Sequence, residues 1–154
     1  MIEKSCAYFK SPIGFVEVIA SESSLLSVAF VEKEGKSIGS SAVLTEAVKQ
    51  LKEYFEGGRR DFDLPLQLDG TDFQVRSWKQ LMNIPYGQTI TYKELAKRVG
   101  NEKAVRAVGG ANNRNKLPIV IPCHRVIGSN GKLVGFAGGL DKKEWLLEFE
   151  KNNI

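Results

Sequence analysis

Residues 91–111, TYKELAKRVGNEKAVRAVGGA, decide how the second half of this 154-residue chain is read. Thr91-Tyr92-Lys93-Glu94 has the form of a capping box, in which a hydroxyl and a carboxylate satisfy the first free N–H groups of a helix. Leu95, Ala96 and Val99 give that helix its apolar side, and Gly100-Asn101 ends it. A second short helix is expected from about Glu102 to Ala111, with small apolar residues at Ala104, Val105, Ala107, Val108 and Ala111. Two short helices joined through a glycine turn suggest helix-turn-helix. The surface of the second helix is alanine and valine apart from Arg106, followed by Gly109-Gly110. Helices that read the major groove carry long polar side chains, whereas a small-residue surface with one arginine suits close, shape-based minor-groove contact. The plainer alternative is that Gly109-Gly110 ends the helix and Arg106 is a solvated charge.

Working outward, Thr71-Asp72-Phe73-Gln74 matches another capping box, with Val75, Trp78, Leu81 and Met82 as a buried stripe before Pro85-Tyr86-Gly87. Beyond the pair, Gly128 to Gly139 reads as glycine-rich loop. Asp141-Lys142-Lys143-Glu144 then opens a last helix as an aspartate version of the box, with Leu140 stapled onto Trp145. Towards the N-terminus, residues 4 to 32 show short apolar runs divided by Ser11-Pro12-Ile13-Gly14 and Ser21-Glu22-Ser23-Ser24, which predicts a three-stranded meander. Leu44, Ala47, Val48, Leu51, Tyr54 and Phe55 recur at helical spacing and Gly57-Gly58 stops them. Phe62 to Leu68 contains Pro65 and reads as an edge strand or extended linker, and Asp69-Gly70 marks a boundary. The expectation is an α+β protein with an N-terminal lobe, residues 1–68, and a mainly helical C-terminal lobe, residues 69–154.

Composition is that of a globular chain, with 26% charged residues and no low-complexity segment. Charged residues interrupt any signal-like core between Met1 and Ala20, and no stretch is apolar enough to span a bilayer, so a cytoplasmic protein with no membrane contact is expected. Cys6 and Cys123 are expected to be free thiols, and one histidine with two cysteines argues against a structural zinc site. The net charge of +4 is concentrated: between Arg76 and Arg125 lie ten Lys and Arg residues against Glu94 and Glu102 alone. That half is the expected nucleic-acid face.

Leu117 to Gly128 ends an apolar segment in Pro122-Cys123-His124-Arg125. A free cysteine, with a pKa of about 8.5, is only slightly ionised at neutral pH, so a nucleophilic role needs a neighbouring base or positive charge. His124 and Arg125 are both candidates. The competing reading is a core cysteine packed in a strand.

Four segments, Pro85-Tyr86-Gly87-Gln88-Thr89, Arg106-Ala107-Val108-Gly109-Gly110-Ala111, Ile121-Pro122-Cys123-His124-Arg125-Val126 and Lys143-Glu144-Trp145-Leu146-Leu147, together resemble the O6-alkylguanine-DNA alkyltransferases. The resemblance covers residues 71 to 151 with specific motifs and residues 1 to 68 only in general pattern. It implies a small ribonuclease-H-like N-terminal lobe and a C-terminal lobe with a helix-turn-helix, winged-helix-like DNA-binding unit. The implied chemistry is a single, irreversible transfer of a methyl or small alkyl group from O6-alkylguanine, and from O4-alkylthymine as a further substrate, to Cys123. His124 takes the thiol proton through a water, Glu150 orients the imidazole, and Asn115 braces the turn. Tyr92 crowds the target phosphate and donates its proton toward guanine N3. Arg106 fills the place of a flipped-out nucleotide, with Tyr92, Ala107, Gly109, Gly110, Asn112 and Arg114 as further DNA contacts. Val126, Phe136, Ala137 and Gly138 line the base pocket. Double-stranded DNA carrying alkylated bases is the implied partner, with no cofactor, no metal and a monomeric protein.

Many members carry tyrosine and serine where this chain has Phe136 and Ala137, so O6 recognition is left to main-chain donors. Three rivals stay open: a lesion-binding relative without transfer, a thiol hydrolase on Cys123 and His124, and a sequence-specific transcription factor. The carry-over leaves Arg125 as a structural or phosphate-side charge.

Overall fold

Val16, Val18 and Ala20, alternate residues of one strand, are all fully buried, which is the period-two signature of a sheet with one covered face. The computed structural model describes residues 3–154; Met1 and Ile2, with which the N-terminal lobe begins as read from the sequence, lie outside the described residues. Strands β1 (Ser5–Ser11), β2 (Gly14–Ala20) and β3 (Leu25–Val31) form the expected antiparallel meander in the order β1-β2-β3. The hairpin between β1 and β2 pairs Ser11 with Gly14, and the Ser11 hydroxyl donates to the Gly14 carbonyl at 2.7 Å. A register shift at Ile19/Ala20 lets Leu25 and Val28, three residues apart, both enter the core.

Helix α1 (Ala42–Phe55) contributes Leu44, Ala47, Leu51, Tyr54 and Phe55 to that core. Its Ser41 hydroxyl accepts from Leu44 N at 3.0 Å. Its far end is a Schellman motif: Gly58 N donates to Glu53 O and Gly57 N to Tyr54 O, with Gly57 at φ 84°. The Pro65 segment makes an edge bridge, accepting from Leu25 N at Pro65 O and donating from Gln67 N to Leu25 O. The proline sits where no N–H is required of it.

The chain divides into two compact units, Met1–Leu68 and Asp69–Ile154. In the second, α2 (Asp72–Leu81) opens on a complete capping box between Thr71 and Gln74. Trp78 is buried and its indole N–H donates to Ala111 O at 2.8 Å. Met82, expected on the buried stripe, is 41% exposed; it is the cap residue just beyond the last helical residue, Leu81. A two-residue strand, β4 (Ile90–Thr91), leads into α3 (Tyr92–Val99), where the Thr91 hydroxyl accepts from Glu94 N; the Glu94 carboxylate pairs with Arg98. Gly100, at φ 101°, closes α3 in a second Schellman motif, with Asn101 N on Ala96 O and Gly100 N on Lys97 O.

Helix α4 spans Val105–Asn113, starting and ending later than expected. Residues 101–104 form a turn instead, in which Asn101 Oδ1 accepts from Lys103 N and Asn101 O from Ala104 N. The glycine pair therefore lies inside the helix and does not end it. The last helix, α5 (Leu140–Asn152), also departs from expectation: its cap is Gly139, at φ 102° and ψ 150°, and Asp141 lies within the first turn. Leu140 is 46% exposed, and Trp145 stacks on Phe149 with ring centroids 4.8 Å apart. Among the described residues no helix is long and apolar enough to cross a membrane.

Candidate active site

The apolar run before Cys123 is buried but is not a strand. Pro118 and Pro122 lack the N–H groups a ladder needs, and Ile119 is held at φ 76°, a conformation a β-branched residue rarely adopts and that costs about 1–3 kcal/mol. Asn115 spans the loop, accepting from Leu117 N and donating Nδ2 to Ile121 O, both at 2.9 Å. Pro122, at φ −78° and ψ 64°, is the centre of an inverse γ-turn closed by Cys123 N on Ile121 O at 2.7 Å. Cys123–Arg125 then form one 3₁₀ turn, and β5 (Val126–Ile127) pairs in parallel with β4.

That turn delivers two consecutive side chains to one carboxylate. The Glu150 Oε2 atom lies 2.7 Å from His124 Nε2 and accepts from Arg125 Nη2 at 2.9 Å; Oε1 accepts from Arg125 Nε at 2.8 Å and Gly87 N at 3.1 Å. Arg125 Nη1 donates to Ile84 O at 2.7 Å, and its guanidinium lies over the Tyr86 ring. Arg125 is thus a buried structural partner of Glu150. This removes it from the nucleic-acid face and from the phosphate side.

Burial works against ionisation of Glu150, but His124 and Arg125 outweigh it and hold the carboxyl far below the usual range. Burial, aided by the charges of Arg125 and Lys143, lowers the pKa of His124 despite the opposing pull of Glu150. An ionised carboxylate can only accept, so a neutral His124 carries its proton on Nε2 and leaves Nδ1 as a bare acceptor. His124 is fully buried, and Nδ1 has no hydrogen-bond partner. Burial pushes the Cys123 thiol up to about 11, against the pull of the Asn115 amide and the Lys143 charge. The resting pair is therefore thiol and neutral imidazole, with a base poised to act as sulfur charge develops.

One residue of this site was not singled out from the sequence, and another was named without its partner. Arg125 was weighed beside the thiol, but the carboxylate it pairs with lies 25 positions away. Lys143 gave a signal that was not used: with Leu146 and Glu150 it occupies the buried side of α5 at helical spacing. Its ammonium, brought down to about 8 by burial, donates to Val134 O at 2.9 Å and Gly135 O at 3.2 Å, and lies 3.5 Å from the Tyr92 hydroxyl. Tyr92 donates to Val134 O at 2.7 Å. The loop main chain is thereby tied to α3 and α5 around the thiol.

The other expected residues fall into two groups. Arg106 and Ala107 are exposed on α4 and Arg114 is exposed at its C-cap, Gly109 and Gly110 are half-buried, and Arg114 donates back to Gly110 O. Asn112, expected among the DNA contacts, is 4% exposed and turns inward, away from that exposed surface, donating Nδ2 to Cys123 O at 3.2 Å. It sits two positions beyond Gly110, on the side of α4 that carries Val108 and Ala111 into the core. Val126 is buried; Phe136 and Gly138 are half-buried and Ala137 is exposed on the loop. Among the described residues no group of three or more His, Cys, Asp or Glu could hold a metal ion.

A thiol backed by an imidazole–carboxylate pair, under a helix-turn-helix with an open small-residue helix, defines a nucleophilic protein built around a DNA-binding type of unit. Comparison with known proteins narrows that class. Residues 72–152 match the 6-O-methylguanine DNA methyltransferase DNA binding domain, and residues 4–68 match the ribonuclease-like domain of the same proteins. The chain belongs to the 6-O-methylguanine DNA methyltransferase family. It is 49% identical over 151 residues to a methylated-DNA–protein-cysteine methyltransferase of Methanosarcina barkeri, covering 94% of this chain and 96% of that one. A Mycobacterium leprae protein of the same description is 44% identical, covering 97% and 93%. The crystal structure of the Mycobacterium tuberculosis O6-methylguanine methyltransferase matches with a TM-score of 0.89 at 41% identity, over 99% of this chain and 95% of that one. The Mycobacterium tuberculosis protein in complex with DNA matches with a TM-score of 0.88 at 43% identity, over 96% and 93%.

Proposed function

We propose that this protein repairs O6-methylguanine in DNA by moving the methyl group onto Cys123. The supporting observation is the bare Nδ1 of His124, whose other nitrogen is committed to Glu150, next in sequence to a buried thiol. Through a water, Nδ1 accepts the thiol proton while sulfur attacks the methyl carbon in line, forming the C–S bond as the C–O6 bond breaks. Glu150 stabilises the imidazolium, and Arg125 keeps Glu150 ionised and fixed. The departing guanine takes up a proton at N3 from Tyr92, which must first release Val134 O. The thioether product has no neighbouring group to hydrolyse it, so each chain acts once.

O6 lies within the base stack, so the nucleotide is rotated out at a cost of a few kcal/mol. Arg106 takes the vacated place from the minor-groove side, and the exposed small-residue surface of α4 permits that approach. The carbonyls of Cys123 and Val126 accept from the guanine 2-amino group. Main-chain N–H groups near Ala137 face O6 between Phe136 and Gly138, and Asn115 holds the loop that presents the thiol. The protein works as a monomer on double-stranded DNA in the cytoplasm and acts on O4-alkylthymine as a further substrate.

Incubation with a several-fold excess of duplex containing O6-methylguanine should restore guanine with a plateau at one equivalent per chain. Continued turnover, or release of more than one product per chain from an ester, would establish a hydrolase instead.

A further inference from the structure

Asn112 Oδ1 and His124 Nδ1 are the two buried side-chain polar atoms without a hydrogen-bond partner among the described residues. The mechanism above uses the histidine atom and leaves the asparagine atom unexplained. Its orientation is fixed: Cys123 O can only accept, so the amide must present Nδ2 to it, and a flip would set oxygen against oxygen. Oδ1 is therefore held away from the Cys123 carbonyl, desolvated and unpaired, an arrangement whose cost a bound donor would recover.

The position of the amide says which donor. It lies beside the Tyr92 hydroxyl as well as the Cys123 carbonyl, two groups that in the proposed function meet guanine N3 and the 2-amino group. Those are neighbouring positions on one edge of the base. Alkylation at O6 removes the N1 hydrogen, so the 2-amino group is the ring's remaining N–H donor. In O4-alkylthymine the N3 hydrogen is lost in the same way, and the corresponding position carries a carbonyl, which can only accept.

We propose that Asn112 is a specificity-determining residue of the base pocket, its Oδ1 sharing with the Cys123 carbonyl one of the two N–H groups of the 2-amino group of O6-alkylguanine, the other going to the Val126 carbonyl, and favouring that lesion over one lacking the amino group. This rests on the proposed base-reading role of the pocket. Asn112 acts inside the site and not on the outer DNA-facing surface of α4.

The test compares transfer rate constants for matched duplexes containing O6-methylguanine or O6-methylhypoxanthine, which differ only in the 2-amino group, with O4-methylthymine as a third arm. Wild-type protein should prefer the amino-bearing base by about tenfold or more, the worth of one buried hydrogen bond. In Asn112→Leu, and in Asn112→Ser as a second variant should leucine not fold, that preference should shrink by about five- to tenfold, and the preference over O4-methylthymine should fall with it. A folded variant whose rates drop equally on both purines, the ratio kept within twofold, overturns the inference and leaves Asn112 a support for the Cys123 carbonyl or a water site. A wild-type protein indifferent to the amino group overturns the base-reading role itself. A variant that has lost the preference over only one of O6-methylhypoxanthine and O4-methylthymine also contradicts the assignment.

Discussion

Cys123, His124 and Arg125 are consecutive, and the 3₁₀ turn lets the last two reach the two oxygens of one carboxylate. Glu150→Gln would leave Arg125 buried with a partner that bears no charge, and should cost about 3–5 kcal/mol of stability at neutral pH by urea denaturation. The folded carboxyl titrates below its unfolded value of about 4.3, so its contribution is complete above that pH and is lost as pH falls towards the folded pKa. The variant should therefore lose less stability between pH 6 and 3 than wild type does. The transfer rate should fall on acidification only below the ordinary histidine pKa of about 6.5, because burial holds His124 lower. A rate that climbs steadily from pH 6 to 8, as a free thiol would give, contradicts a neutral imidazole acting as the base. Cys123 and His124 were legible in the sequence because adjacency displayed them. Arg125 stood between a structural and a phosphate-side charge, and Asn112 stood among the DNA contacts with no sign that it turns inward, because burial and distant partners decide what a polar side chain does.

At the scale of elements, two of the three starts set by a side chain on a neighbouring N–H were read from the sequence, the Ser41 cap of α1 being the exception, and those set by backbone alone were not. Thr71 and Thr91 announce α2 and α3, whereas α4 has no side-chain cap and α5 begins at a glycine in a conformation other residues rarely adopt. Two glycine substitutions separate these cases. Gly139→Ala should destabilise by more than 1 kcal/mol, since φ is 102° and the new Cβ would lie 2.9 Å from Asp141 Oδ1. Gly109→Ala, inside α4 with the Tyr92 ring 3.9 Å from the new Cβ, should raise stability by about 0.5–1 kcal/mol. Thermal melting of both proteins measures the contrast, and equal effects would mean that α5 does not depend on its glycine entry.

For the whole molecule, the boundary at residue 69 was marked by Asp69-Gly70, and each unit has its own periodicity: alternation in the first, helical spacing in the second. The apolar run before Cys123 left a core strand open as a competing reading and is a loop, since a buried apolar run looks alike as strand or loop until its prolines and the strained Ile119 are placed. The basic residues between Arg76 and Lys116 should give DNA affinity that falls steeply with salt, log K declining by about 0.9 per phosphate contacted for each tenfold rise in salt. The most direct test of the central claim is mass analysis of peptides after incubation with duplex containing O6-methylguanine. One methyl group should appear on the peptide containing Cys123 and none on that containing Cys6, with Cys123→Ala left unmodified and its DNA unrepaired. Methylation at Cys6, or repair persisting in Cys123→Ala, would contradict the account.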